Sequence, residues 1–128
     1  MRNARTAAPV GPRVTTPTRP DRTLDVLAGL GVRPADAALT AVQFSTAFCG
    51  PCRATRARLL QLQRTRPGLA YVHVDAESHL DAVRALDVRV TPTLIWLDRA
   101  GAVVARSSGA PRPAELTALV EAHTGVQT

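Results

Sequence analysis

Both cysteines of the chain, Cys49 and Cys52, stand two residues apart in the stretch Phe48-Cys49-Gly50-Pro51-Cys52. Thiols at this spacing can close a disulfide and reopen it, so the pair suits dithiol–disulfide exchange with another molecule. A purely structural disulfide is the alternative. It would stabilise the fold little, because the chain-entropy effect grows with the length of the closed loop.

Metal binding is not expected from this composition. Two cysteines cannot form a four-cysteine zinc site. A site with two cysteines and two histidines would draw on His73, His79 and His123, whose spacings match no zinc-finger pattern. We therefore expect no metal and no cofactor apart from the cysteine pair itself.

The length and composition indicate one globular domain. The chain has 128 residues, of which 45% are hydrophobic, and no apolar run reaches the ~20 residues that cross a bilayer. The N-terminus carries arginines without an apolar signal segment. We expect a cytoplasmic protein with no membrane span. The alternative is the extracytoplasmic soluble domain of a tethered protein, which the basic, proline-rich start of the chain suggests.

The net charge is +6, and every basic residue is an arginine. One group of arginines lies in the first 22 residues, and a second follows the cysteines at Arg53, Arg56, Arg58, Arg64 and Arg66. Nucleic-acid binding would place aromatic residues among such charges. Aromatic residues make up 3% of the chain and none lies in either group, so nucleic acid is not an expected partner.

The residues around the cysteines predict a strand before them and a helix after them. Residues 1–22 contain four prolines and no apolar period, which predicts a disordered tail before a domain at residues 23–128. Thr23 is a candidate cap for a first helix. Leu39 to Phe44 reads as a buried strand, and the helix that follows Cys52 stops at Pro67-Gly68.

The rest of the chain continues the alternation of strands and helices. A strand is predicted from Leu69 to Asp75, then a short helix with Leu80, Val83 and Leu86 on one side. Thr93 to Leu97 and Val103 to Arg106 form a hairpin around a turn at 98–101, and a last helix runs from Pro113 towards Gly125. This order predicts an α/β fold with a central mixed sheet flanked by helices.

The segment from Val42 to His123 resembles the thioredoxin family. Cys49-Gly50-Pro51-Cys52 matches the active-site tetrapeptide of that family between a strand and a helix. Val90-Thr91-Pro92-Thr93 matches the segment that carries its cis-proline. The turn at 98–101 and Gly109 match two further family features. The resemblance implies the thioredoxin fold.

The resemblance also implies roles for the residues of the motif. Cys49 is the expected nucleophile, and Cys52 the resolving thiol that releases the substrate. Gly50 and Pro51 set the turn between them, and Pro51 suits the first turn of a helix. Arg53 is expected to lower the pKa of the Cys49 thiol together with the positive end of the helix.

Substrate binding is implied for a second set of residues. Pro92 is expected to follow a cis peptide bond and to lie against the disulfide, while the backbone of Thr91 pairs with a substrate strand. Gly109 is placed near the active-site surface, and Phe48 offers an apolar rim to an extended substrate.

The chain departs from the family pattern beside the cysteines. Gln43 stands where thioredoxins usually have a buried aspartate, and Tyr71 replaces the usual neighbouring lysine. Ser45 and Phe48 replace two tryptophans. An amide does not titrate, so the proton route through that aspartate is absent. His73, on the same strand face as Tyr71, is a candidate substitute base.

These observations predict a protein-disulfide reductase of thioredoxin type. The expected partners are disulfide-containing client proteins and a thioredoxin-reductase-like protein that recharges the cysteines, and the expected state is a monomer. An interaction domain of thioredoxin fold with little redox turnover is the alternative, motivated by Gln43 and the missing tryptophans.

Overall fold

Four strands form one sheet at the centre of the computed structural model, which describes residues 18–125. The strands are β1 (Leu39–Ser45), β2 (Leu69–Asp75), β3 (Thr93–Asp98) and β4 (Val103–Ser108). They lie side by side in the order β2-β1-β3-β4. The predicted strands are confirmed, and the observed β1, β3 and β4 each extend slightly further.

Helices connect the strands and cover the sheet. The α-helices are α1 (Thr18–Gly29), α2 (Gly50–Thr65), α3 (Leu80–Ala85) and α4 (Pro113–Thr124). Two short 3-10 turns, Pro34–Asp36 and Ala76–Ser78, lie in connections that the apolar pattern did not resolve. Gly125 ends α4 in the left-handed conformation, with φ 72°, as its position predicted.

The pairing of the strands places the cysteines opposite the Thr91-Pro92 segment. β1 and β2 run parallel because α2 crosses over between them. β1 and β3 run antiparallel, with Phe44 paired to Thr93. The end of β1, which leads to Cys49, and the start of β3 therefore meet at the same edge of the sheet. The hairpin of β3 and β4 is also antiparallel, so the predicted mixed sheet is confirmed.

Each face of the sheet buries its own apolar core, because successive side chains of a strand point to opposite faces. Val42 and Phe44 of β1 pack in one cluster with residues of α1 and α3, such as Leu27 and Ala82. The other face buries a second cluster beneath α2 and α4: Leu39, Ala41, Leu59, Leu62, Leu69, Leu94, Trp96, Leu116 and Val120. By alternation along β1, Gln43 and Ser45 belong to this second face.

The start of α1 differs from the prediction. The helix begins at Thr18, so Thr23 is an internal residue and not its cap, and the predicted tail boundary after residue 22 falls inside the helix. The reason is that Pro20 lies in the first turn, where a helix tolerates proline because that N–H needs no partner. Residues 1–17 lie outside the described part of the chain, so the disordered tail stays a prediction there.

Candidate active site

Cys49 and Cys52 form a disulfide, with their Sγ atoms 2.14 Å apart. Cys49 is the N-cap residue of α2, and Cys52 lies in its first turn. Both side chains are largely shielded, Cys52 more than Cys49. The structure is therefore that of the oxidised pair, with Cys49 on the outer side.

The N-terminus of α2 directs a hydrogen-bond donor at Cys49. The backbone N–H of Cys52 donates to Cys49 Sγ over 3.1 Å. Pro51 occupies the first turn without an N–H, and that turn contains no acidic residue. An anion at Cys49 Sγ therefore gains a backbone donor and the positive end of the helix, the setting that favours a thiolate.

The Thr91-Pro92 peptide bond is cis, as the resemblance implied. Cys49 Sγ lies 3.7 Å from the carbonyl oxygen of Thr91. The N–H of Gly109, a residue with φ 89°, donates to the carbonyl oxygen of Pro92 over 2.8 Å. Four of the six residues expected to bind substrate or react with it, Cys49, Thr91, Pro92 and Gly109, are thus brought together, while their individual roles stay predictions.

Two apolar side chains are exposed beside these groups. Phe48, directly before Cys49, is 98% exposed. Val90, directly before Thr91, is 48% exposed and was not singled out from the sequence as a binding residue. The sequence does contain an indication of this role, because Val90 is an apolar residue that lies outside any strand and next to Thr91-Pro92. Exposed apolar groups at a reactive surface are suited to bind a partner chain.

Gln43 forms a hydrogen-bonded bridge beneath Cys52. Its side chain is fully buried. Nε2 donates to the carbonyl oxygen of Cys52 over 3.0 Å and to Ser45 Oγ over 2.9 Å. Oε1 accepts from the hydroxyl of Tyr71 over 2.8 Å. The amide therefore ties the first turn of α2 to β1 and β2, a contact network that the residue types alone did not reveal.

Two titratable side chains of β2 near this bridge have shifted pKa values. Burial raises the pKa of Tyr71 to about 12, against an opposing effect of the Arg56 charge. His73 has its pKa lowered, first by burial and then by Arg56, while Asp75 acts in the opposite direction. The His73 side chain makes no hydrogen bond to any other described residue, so its role as a base stays a prediction.

The arginines of α2 divide into two groups. Arg58 donates to Thr117 Oγ1 over 2.8 Å, and Arg66, just after the helix, pairs with Glu121, so these two connect α2 to α4. Arg53 is exposed and forms no ion pair or side-chain hydrogen bond within residues 18–125. Its expected effect on Cys49 stays a prediction.

The described residues contain neither a metal-binding cluster nor a membrane-spanning helix. No group of three or more His, Cys, Asp or Glu side chains in this part of the chain is arranged to hold a metal ion. Likewise, none of the helices at 18–125 has the length and apolar character needed to cross a membrane.

The chain matches the protein-family model described as Thioredoxin over residues 33–122. Thioredoxin H4-1 from Oryza sativa subsp. japonica is 31% identical over 78 residues, which cover 61% of this chain and 59% of the relative. The chain spans about half the length of the curated relatives that it matches.

Solved thioredoxin structures share this fold. Chlamydomonas reinhardtii thioredoxin f2 is 30% identical, with a TM-score of 0.59 over 68% of this chain and 80% of that one. Fasciola hepatica thioredoxin is 26% identical, with a TM-score of 0.61 over 78% of this chain and 90% of that one. The paired cysteines at the start of α2, the cis-proline opposite them and the match over residues 33–122 together show that the chain belongs to the thioredoxin family.

Proposed function

We propose that the protein is a thiol–disulfide oxidoreductase that reduces protein disulfides through Cys49 and Cys52. The observation that carries this proposal is the position of Cys49 Sγ. It accepts the N–H of Cys52 at the start of α2 and lies 3.7 Å from the Thr91 carbonyl. Membership of the thioredoxin family supports the same activity.

The first step is attack by the Cys49 thiolate on a client disulfide. A bond forms between Cys49 Sγ and one client sulfur, and the client S–S bond breaks. The other client sulfur leaves as a thiolate and takes a proton from solvent. The segment before β3 binds the client chain, because the Thr91 backbone lies next to Cys49 Sγ and the exposed Phe48 and Val90 offer apolar contacts.

The second step is attack by Cys52 on Cys49 Sγ. The Cys49–Cys52 bond forms, the mixed disulfide breaks, and the client sulfur leaves and is protonated. The proton that Cys52 loses goes to solvent or to the departing thiolate, since Gln43 cannot accept it. The client gains two electrons and the protein ends in the disulfide form that the structure shows.

A second protein must return the two electrons for turnover to continue. We propose a thioredoxin-reductase-like partner that acts on the same disulfide, and a monomer as the working form. The cysteine pair is then the only redox group that the cycle needs.

Reduction of insulin with dithiothreitol as electron source tests the activity. We expect the wild type to accelerate precipitation of the insulin B chain and Cys49→Ser to lose this acceleration. Equal rates for the two proteins would contradict the proposal. The Cys49→Ser/Cys52→Ser double variant separates the alternative: an interaction domain would still retain a partner after loss of both thiols.

A redox titration of the cysteine pair tests the direction of the reaction. A midpoint near roughly −270 mV marks a reductant, whereas one near roughly −120 mV marks an oxidant. We expect the former. The latter would replace the proposed reductase by a protein that forms disulfides.

A further inference from the structure

Helix α2 carries arginines that form no ion pair or side-chain hydrogen bond within the described chain. It contains no Asp or Glu. Arg58 is held by Gln61 and Thr117. Arg53, Arg56 and Arg64 are exposed and make no ion pair or side-chain hydrogen bond with another residue of the described chain. These three charges therefore form no partner contact within the described chain and are free to meet charges of another molecule.

Two of the three lie at the reactive end of the helix. Arg53 directly follows Cys52, and Arg56 lies one turn further along α2. The charge of Arg56 acts on Tyr71 and His73 of β2, which places it on the β2 side of the site. We call Arg53 and Arg56 the positive face. Arg64 lies in the last turn, at the opposite end of α2.

Among the described residues, neither Asp75 nor Asp87 forms an ion pair with Arg53 or Arg56. Asp75, at the end of β2, accepts hydrogen bonds from Ser78 Oγ and the Glu77 N–H. Asp87 pairs with Arg89 over 2.7 Å. The positive face therefore remains open to charges that a partner brings.

We infer that the preferred clients of this site carry acidic residues next to their reactive disulfide, which pair with Arg53 and Arg56. The inference rests on the proposed reductase function and adds a substrate class to it. Phe48, Val90 and the Thr91 backbone give contacts that almost any extended chain can make. A positive face on the helix that begins at Cys49 adds selection by charge, since complementary rim charges raise the rate of association and suppress partners of like charge.

Two synthetic peptides provide the probe. Each has the same intramolecular disulfide loop, with glutamates on both flanks in one and arginines in the other. We expect kcat/KM to be at least about fivefold higher for the acidic peptide at low salt. The preference should shrink towards unity at ~0.5 M salt, because exposed charges are then screened. Equal rates for the two peptides at low salt would overturn the inference.

Substitutions of two exposed arginines of α2 show which end of the helix produces the charge preference. Arg56→Gln is expected to lower the acidic-to-basic ratio of kcat/KM about two- to fivefold, the range expected for one exposed ion pair, and Arg56→Glu more than that. Arg64→Gln on the same helix is the control and should leave the ratio unchanged. The ratio is informative because any change in the reactivity of the thiols affects both peptides alike.

Failure of the inference and failure of the proposed function give different results. If both peptides are reduced at one rate, the reductase function stands and the charge preference is wrong. If neither is reduced faster than with Cys49→Ser, the proposed function fails and the inference fails with it. A loss of preference that is equal in Arg56→Gln and Arg64→Gln would show attraction by overall charge, which also overturns the proposed positive face.

Discussion

The side-chain amide of Gln43 donates a hydrogen bond of 3.0 Å to the carbonyl oxygen of Cys52. A residue on the central strand thus holds the turn that carries Cys52. The bridge continues to Tyr71, whose hydroxyl donates to the other end of the same amide. All of its hydrogen-bonding groups are neutral, so the bridge can position Cys52 but offers no side chain that accepts its proton at neutral pH.

Replacement of Gln43 by methionine should destabilise the protein by about 2–4 kcal/mol. Methionine has a similar size, so the loss comes from the Cys52 carbonyl, Ser45 and Tyr71, which are left without their buried partner. Urea unfolding of the oxidised protein measures the change. The control is Gln61→Met at an exposed site on α2, which should change stability by less than about 0.5 kcal/mol. Similar losses in the two variants would show that the bridge contributes nothing.

Tyr71 should ionise only in strong alkali, with a pKa of about 12 in the folded protein. It is the only tyrosine of the chain, so absorbance of the phenolate follows it directly. The folded state holds the proton more tightly than the unfolded state, whose tyrosine has the ordinary value of 10.0. Stability should therefore fall as the pH rises from about 10 to about 12. A midpoint of Tyr71 ionisation near pH 10 in the folded protein would contradict the burial of its hydroxyl.

His73 should titrate below its ordinary value of 6.5, because burial and Arg56 disfavour the imidazolium. The unfolded chain then binds this proton more readily, so the contribution of His73 to stability is present above pH 6.5 and is lost as the pH falls below it. NMR titration gives the midpoint. Arg56→Gln should raise it, and Arg64→Gln, at the far end of α2, should not. If the His73 midpoint is the same in Arg56→Gln and in the wild type, the Arg56 charge does not act on His73.

Gly101→Ala should cost more stability than Gly109→Ala. Both glycines have positive φ, 90° and 89°, so each alanine carries a similar backbone penalty of roughly 1 kcal/mol. A Cβ at position 101 would also lie 2.7 Å from Leu24 Cδ2, whereas nothing lies within 4 Å at position 109. Thermal unfolding compares the two, and Gly101→Ala in a Leu24→Ala background should show the smaller loss. Equal losses of stability for Gly101→Ala and Gly109→Ala in the wild-type background would rule out the contact with Leu24.

Much of the fold is readable from local sequence patterns. The apolar runs at 39–44 and 93–97 predict buried strands, and they are found as β1 and β3 with their predicted starts. The start of α1 was misplaced because a proline in a first turn and a proline in a tail look alike in sequence. A 3-10 turn of three residues is too short to show an apolar period, so Ala76–Ser78 could not be predicted from its residues.

The site was predictable only where its chemistry depends on residue type. Cys49, Cys52 and Pro92 are recognisable from their motifs, and the structure brings them to one edge of the sheet. The partners of Gln43 were not recognisable, because Tyr71 lies 28 positions away and reaches it only through the parallel pairing of β1 with β2. The separation of the α2 arginines into bonded and free ones depends likewise on where α4 packs.

The unequal exposure of the two cysteines has a kinetic consequence. Cys49 is the more exposed residue of the pair, at 8% against 3% for Cys52, so the proposed client and the proposed reductase would both react at Cys49 from the same side. The two partners then exclude one another, and turnover has to alternate between them. Steady-state measurements with both present should give the parallel reciprocal plots of a double-displacement reaction, with each partner inhibiting competitively when it is in excess.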